Sequence, residues 1–272
     1  IIRLQPDGND NKYSVEMLDT LDTTSTIDYY ANYTFDGGNR AWIDLYPSTG
    51  TNGRDLLITP IGAGTVNESS KAIGVGDNFV GAGEAIRVDF VTDITGNAST
   101  GGSGYNNESN RNHAFTAHYV ANNASAKFTN IGNNKSIVRL VAFDDVDGDN
   151  VVGDGTKDAL TAVVISYNGV SITVQNLGGT PTVHSVGQNG PQVTVTFVDG
   201  EARVEGVMTN MTIGGVTSDG YNSIEFHHAG GSTFKIGGLS ADAVTQQPVT
   251  FDVPVKIVDG DGDSASGSIT VT

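Results

Sequence analysis

Apolar residues in this chain recur at every second position, and that period suits strands with one buried face. In residues 85–91, Ile86, Val88 and Phe90 share a face; in 192–198, Val193, Val195 and Phe197 do. The same alternation marks 41–46, 136–143, 159–167, 171–175, 223–226, 249–258 and 268–272. Helical spacing with caps is hard to find. Asn168-Gly169, Asp199-Gly200 and Asp219-Gly220 stand between alternating segments, and such dipeptides accept the positive φ of tight hairpins. Strand after strand without helices predicts an all-β fold, an elongated antiparallel β-sandwich. The chain has 272 residues, enough for one large core or two ordinary ones. No composition shift marks a boundary, so residues 1–272 are read as a single domain whose last strand leads to a following module.

The chain has no cysteine, which removes disulfides and thiolate metal sites and leaves oxygen or imidazole for any metal. Its formal charge of −17 repels phosphate backbones and anionic membranes, so nucleic-acid binding is not expected. No apolar run reaches the ~20 residues that span a bilayer. The chain begins Ile1-Ile2-Arg3, without a signal-peptide pattern, and reads as a fragment of a longer multidomain protein, monomeric within it. The acidity admits two readings, a surface that keeps a secreted protein soluble or carboxylates that wait for a divalent cation.

The acids are not spread evenly. Asp144, Asp145, Asp147, Asp149, Asp154 and Asp158 place six carboxylates within fifteen residues. Calcium takes six to eight oxygens, and alternate residues of a tight turn converge on one ion. The spacing is not an EF-hand: counted from Asp145, position six is Asn150 and position twelve is Thr156. A second cluster, Asp259, Asp261 and Asp263 alternating with Gly260 and Gly262, lies between two late strands, where an ion would fix the terminal strand or stiffen a junction. Several calcium ions are therefore the expected cofactors.

Residues 95–112 are rich in Gly, Asn and Ser without apolar period, which predicts a long loop, functional or disordered. Tyr105 with Asn106 in that loop, and Tyr221 with Asn222 near the Asp219-Gly220 turn, are candidates to meet a ligand. Arg87 and Asp89 share the face opposite Ile86 and Val88 and are read first as a surface ion pair; Glu84 and Arg87 become ligand contacts if that face meets one. Glu225 and His227 also share a face, but the histidines form no zinc constellation. No G-x-S-x-G elbow, H-E-x-x-H helix or Walker loop is present, and the chain is not expected to be an enzyme.

Three C-terminal stretches, Tyr221 to Phe226, Ser232 to Ile236 and Phe251 to Ser266, resemble modules of giant RTX adhesins secreted by the type I system. So do Gly74-Val75-Gly76-Asp77-Asn78-Phe79 and Gly83-Glu84-Ala85-Ile86-Arg87-Val88-Asp89-Phe90. Within that group the chain is most similar to the calcium-dependent peptide-binding domains near the C-terminal end. The resemblance implies a β-sandwich carrying several calcium ions, one of which helps hold a peptide end, on the bacterial cell surface. It implies a role in adhesion to other cells. A glycan-binding module and a calcium-stiffened spacer are the alternatives within the same class.

Overall fold

The computed structural model describes residues 2–6, 13–17, 23–31, 33–46, 53–69, 71–76, 78–98, 104–132, 134–145, 149, 151–245, 251–258 and 260–271. Where the sequence reads as one domain, the chain's contacts divide it into two compact units. One is continuous, Thr26–Ala243; the other joins Ile1–Ser25 with Val244–Thr272. No α-helix occurs among the described residues, and none of their helices is long and apolar enough to cross a membrane.

The continuous unit is a sandwich of two large sheets. The first runs in the order Thr182–Ser185, Gln192–Val198, Glu201–Val207, Ser136–Asp144, Ser223–Gly231, Ala85–Thr92, Arg54–Ile61, Ile43–Leu45. The second runs Val170–Gln175, Ala162–Tyr167, Thr212–Val216, Ala121–Thr129, Lys235–Thr245, Ala72–Val75, Val66–Ser69, Gly38–Arg40. The alternation that predicts strands also fills the core between them. Gln192–Val198 buries Val193, Val195 and Phe197 and turns its polar partners outward, and Ile86, Val88 and Phe90 join the same core. Phe128 of the second sheet meets Phe226 of the first edge to face, with centroids 6.1 Å apart. Each such side chain removed from water contributes ~1.5–3 kcal/mol.

Two of the expected hairpins form as two-residue turns. Tyr167 pairs with Val170 across Asn168-Gly169, and Val198 with Glu201 across Asp199-Gly200. In both turns the two central residues have positive φ, the geometry that Asn-Gly and Asp-Gly favour. Asp219-Gly220 differs. Thr212–Val216 lies in the second sheet and Ser223–Gly231 in the first, so this turn carries the chain across the sandwich. The dipeptide fixes local backbone geometry and leaves open where the next strand pairs.

The first sheet carries a further layer on its outer face. After Ala85–Thr92 the chain makes an excursion to residue 118, with short paired segments at Thr95–Gly96 and His113–Ala114 and a 3-10 turn at Glu108–Asn110. This layer encloses a small second core of Ala41, Trp42, Leu57, Val91 and Phe115. Ala85–Thr92 is thereby buried on both faces.

The discontinuous unit contains two hairpins, Ile2–Pro6 with Tyr13–Met17 and Phe251–Val258 with Ser264–Val271. The last strand begins four residues earlier than its apolar pattern, because Ser264, Ser266 and Ser268 pair on its exposed end.

Candidate functional site

The strand Ser136–Asp144 delivers the first acidic cluster to the end of the first sheet, with Asp144 on the side of Val138, Leu140 and Ala142 and Asp145 on the outer face. Its chain returns as Thr156–Asp158, which pairs antiparallel with 142–144. Successive residues point to opposite sides, so Asp145 is buried while Asp144 is half-buried. Asn222 holds the start of the loop: its Oδ1 accepts from Asp145 N at 2.8 Å and its Nδ2 donates to Asp145 O at 2.6 Å. Itself 5% exposed, Asn222 is a clamp on the acidic loop.

Asp144 gathers with Asp158 and Asp219. Burial raises the pKa of Asp144, and repulsion from Asp158 and then Asp219 adds to it, against one backbone hydrogen bond from Asn222. Asp158 Oδ2 is buried and has no hydrogen-bond partner. The nearby Lys157 is turned away to Glu201.

Beneath this loop lies Asp89. It is 0% exposed, and neither carboxylate oxygen has a hydrogen-bond partner. Burial lifts its pKa to about 7; Arg87 and Ser223 pull it down, Glu225 and Asp145 push it up, and burial prevails. Ser223 stands opposite Asp89 in the ladder, yet its hydroxyl, also buried, does not reach bonding geometry. The surface ion pair expected of Arg87 and Asp89 is therefore corrected. The excursion 94–118 covers this face, and Arg87 turns to Glu225, to which its Nε donates at 2.9 Å. His227 Nε2 lies 2.5 Å from the other Glu225 oxygen. Burial disfavours a charged Glu225, but His227 and Arg87 outweigh it and hold the carboxyl below its usual value. The Arg87 guanidinium also sits over the Phe143 ring, 5.7 Å from its centroid.

Tyr105 closes the side of this layer. Its ring stacks on His113 with centroids 5.7 Å apart and 8° between planes, and its hydroxyl lies 2.9 Å from His113 Nε2. Burial, and then the charge of Arg111, lowers the His113 pKa to about 4. Burial pushes the Tyr105 phenol above its ordinary value, and Asp89 adds to the shift. Asn106 is exposed on the adjoining turn.

The structure thus brings Arg87, Tyr105, Asn222 and Asp145 into one neighbourhood around Asp89, gathers Asp144 and Asp158 on the other side of the sheet, and leaves other candidates outside both. Glu84 braces the turn before its strand, accepting from Gly81 N at 2.8 Å. Tyr221, expected free in a loop, is 0% exposed. Its hydroxyl donates to Gly215 O at 2.7 Å and accepts from Ala124 N at 2.8 Å, because the crossover at Asp219-Gly220 points its ring into the core. Asp149 and Asp154 are exposed on the loop. Asp261 and Asp263 are exposed at the hairpin turn of the discontinuous unit. Asp147 and Asp259 lie outside the described residues.

Sequence reasoning missed Asp89 as a buried acid and Asp219 as a neighbour of the loop. The signal for Asp89 was its place in mid-strand just before a long Gly- and Asn-rich excursion. As for metals, no three His, Asp or Glu side chains among the described residues converge into a cage. The donors that gather are oxygens, the set a hard cation takes, and Asp89 and Asp158 present buried oxygens with no hydrogen-bond partner among the described residues. No protein-family model, no curated protein and no solved structure matches this chain.

Proposed function

We propose that this chain is a calcium-dependent ligand-binding module of a bacterial surface adhesin, recognising a peptide end on a neighbouring cell. The observation that carries the reading is the buried Asp89 carboxylate with two unpartnered oxygens under an acidic loop. Leaving such a group ionised and unpaired is strongly unfavourable, and a cation bound beside it removes that cost. Asp89 and Asp145 are the described carboxylates that would hold calcium on the outer face, while Asp144, Asp158 and Asp219 would meet an ion on the other side of the sheet; Asp147, Asp149 and Asp154 are the further acids of the cluster in sequence. The ion would supply positive charge and a coordination position for a ligand oxygen. Arg87, paired with Glu225, and Tyr105, stacked on His113, are the polar and flat groups beside it. Asp261 and Asp263 sit on a hairpin turn of the other unit and, with Asp259 of the same sequence cluster, suit a separate structural ion.

The test is calorimetric titration with a short peptide bearing a free terminal carboxylate and the same peptide amidated, in calcium and then in chelator. Binding is expected only for the free carboxylate and only in calcium. Binding that survives chelation overturns the mechanism, and a glycan array in the same two buffers separates the sugar-binding alternative.

A further inference from the structure

A second site lies at one edge of the first sheet, away from the strand that carries the acidic loop. Ile43–Leu45 forms this edge beside Arg54–Ile61, and with Thr95, Gly96 and Asn97 it lines a cleft of about 280 Å³. Ile43 and Leu45 face the core, so the intervening Asp44 points the other way, into the cleft. Asp44 Oδ1 is buried and has no hydrogen-bond partner. Tyr46, also in the lining, is 57% exposed.

The chemistry that fits follows from charge. Arg40, the one basic residue of the lining, is committed to Asp36 at 3.0 Å and lies 3.9 Å from Glu68. Asp55 lies near enough to repel Asp44 further. The adjoining undescribed stretches, 47–52 and 99–103, contain no Lys, Arg or His. The cleft therefore has an unanswered negative charge. Calcium takes six to eight oxygens, and the carboxylates of the lining are Asp36 and Asp44 alone, of which Asp36 is taken by Arg40. With Oδ1 buried, a guanidinium fork cannot engage both oxygens from the cleft, whereas an ammonium acts as a point charge on the carboxylate. Sugar hydroxyls would donate hydrogen bonds but leave the charge standing. A cation on an aliphatic stem answers the Asp44 charge with its head and can lay its stem, or its charge, on the Tyr46 ring.

We propose that this cleft binds the side chain of a lysine from a peptide or protein partner, as a site separate from the acidic loop. It needs no calcium, so its tests are run in chelator and their failure leaves the calcium reading untouched. Trp42 lines the cleft and is the only tryptophan of the chain, which makes its fluorescence a local reporter. Titration with N-acetyl-lysine methylamide at pH 8 is expected to give a saturable change. The isosteric N-acetyl-norleucine methylamide should give none, and methylammonium, a fully charged ammonium without the stem, should bind several-fold more weakly. Asp44→Asn should weaken the lysine analogue at least ~10-fold, the worth of one charge-assisted bond, with an unchanged circular dichroism spectrum. The analogue series needs no variant and decides the matter even if Asp44→Asn misfolds. Equal binding of lysine and norleucine analogues, equal binding of methylammonium, saturation by methyl glucoside alone, or no response to any of them overturns the proposal.

Discussion

Replacing Asp89 by asparagine removes a charge from a fully buried position while preserving its shape. In the folded chain Asp89 keeps its proton up to about pH 7, against an ordinary value of 3.8. Folding therefore favours the neutral acid, and the contribution of Asp89 is most favourable below pH 3.8 and is lost as pH rises through 7. Between pH 5 and pH 8 those two values give a loss of ~2.5 kcal/mol. Arg87 and Ser223 soften the loss while Glu225 and Asp145 deepen it, all four already acting on the value. The amide that replaces the carboxyl does not titrate. Its own unsatisfied polar atoms cost ~1–3 kcal/mol at every pH, so that offset cancels in the pH difference. In chelator, the stability of Asp89→Asn relative to the native chain should rise by ~2.5 kcal/mol from pH 5 to pH 8. For a unit of this size that is ~5–10 °C in melting midpoint, readily followed by circular dichroism. With calcium at one hundred times its dissociation constant the native chain should gain ~2.7 kcal/mol and the variant less. Parallel pH curves for the two proteins in chelator would refute the reasoning, because they would mean that burial does not hold the proton on Asp89.

Three further outcomes follow from the same layer and the core beneath it. Gly153 has φ +100, and a Cβ there would lie 1.7 Å from Arg87 Nη1; Gly153→Ala should cost ~1–3 kcal/mol in urea unfolding through strain and displacement of Arg87. Tyr221→Phe leaves the buried Gly215 carbonyl and Ala124 amide without their side-chain partner and should lower stability by ~1–3 kcal/mol with no change in calcium affinity. His113 is held neutral with a pKa near 4 against 6.5, so its contribution is complete above pH 6.5 and is lost as pH falls through 4. The native chain should thus lose ~3 kcal/mol more than His113→Gln between pH 7 and pH 4, measured as the difference between their urea midpoints at the two pH values.

The fold class was legible because alternation is a property of neighbours in sequence, and strands such as Gln192–Val198 bury the face that their pattern marks. The turn at Asn168-Gly169 was legible for the same reason, since positive φ is a local demand. Partners distant in sequence were not. Asp219-Gly220 has the same local signal but bridges two sheets, and the choice depends on strands at 85–92 and 136–144 that no turn residue specifies. Tyr221 followed that error into the core.

Asp89 shows the deeper limit, and it is where fold and site meet. Alternation places Arg87 and Asp89 correctly on the face away from Ile86, Val88 and Phe90, but period 2 distinguishes two faces without saying what covers either one. A strand that reads as one face in and one face out is, in this unit, overlaid by an excursion whose composition has no apolar period. That layer is assembled from scattered contributors, Phe115 and Trp42 packing on Leu57 and Val91, none of which marks itself as core in its own segment. Once the layer is laid down, the polar residues of the covered face must be answered from within. Arg87 finds Glu225, and Glu225 finds His227. Asp89 finds no hydrogen bond, although its neighbours include a serine and a guanidinium that a small shift would supply. On one covered face the sheet thus pairs Arg87, Glu225 and His227 with one another and leaves Asp89 with two oxygens that have no hydrogen-bond partner among the described residues, and that residue is the one on which the proposed cation site rests.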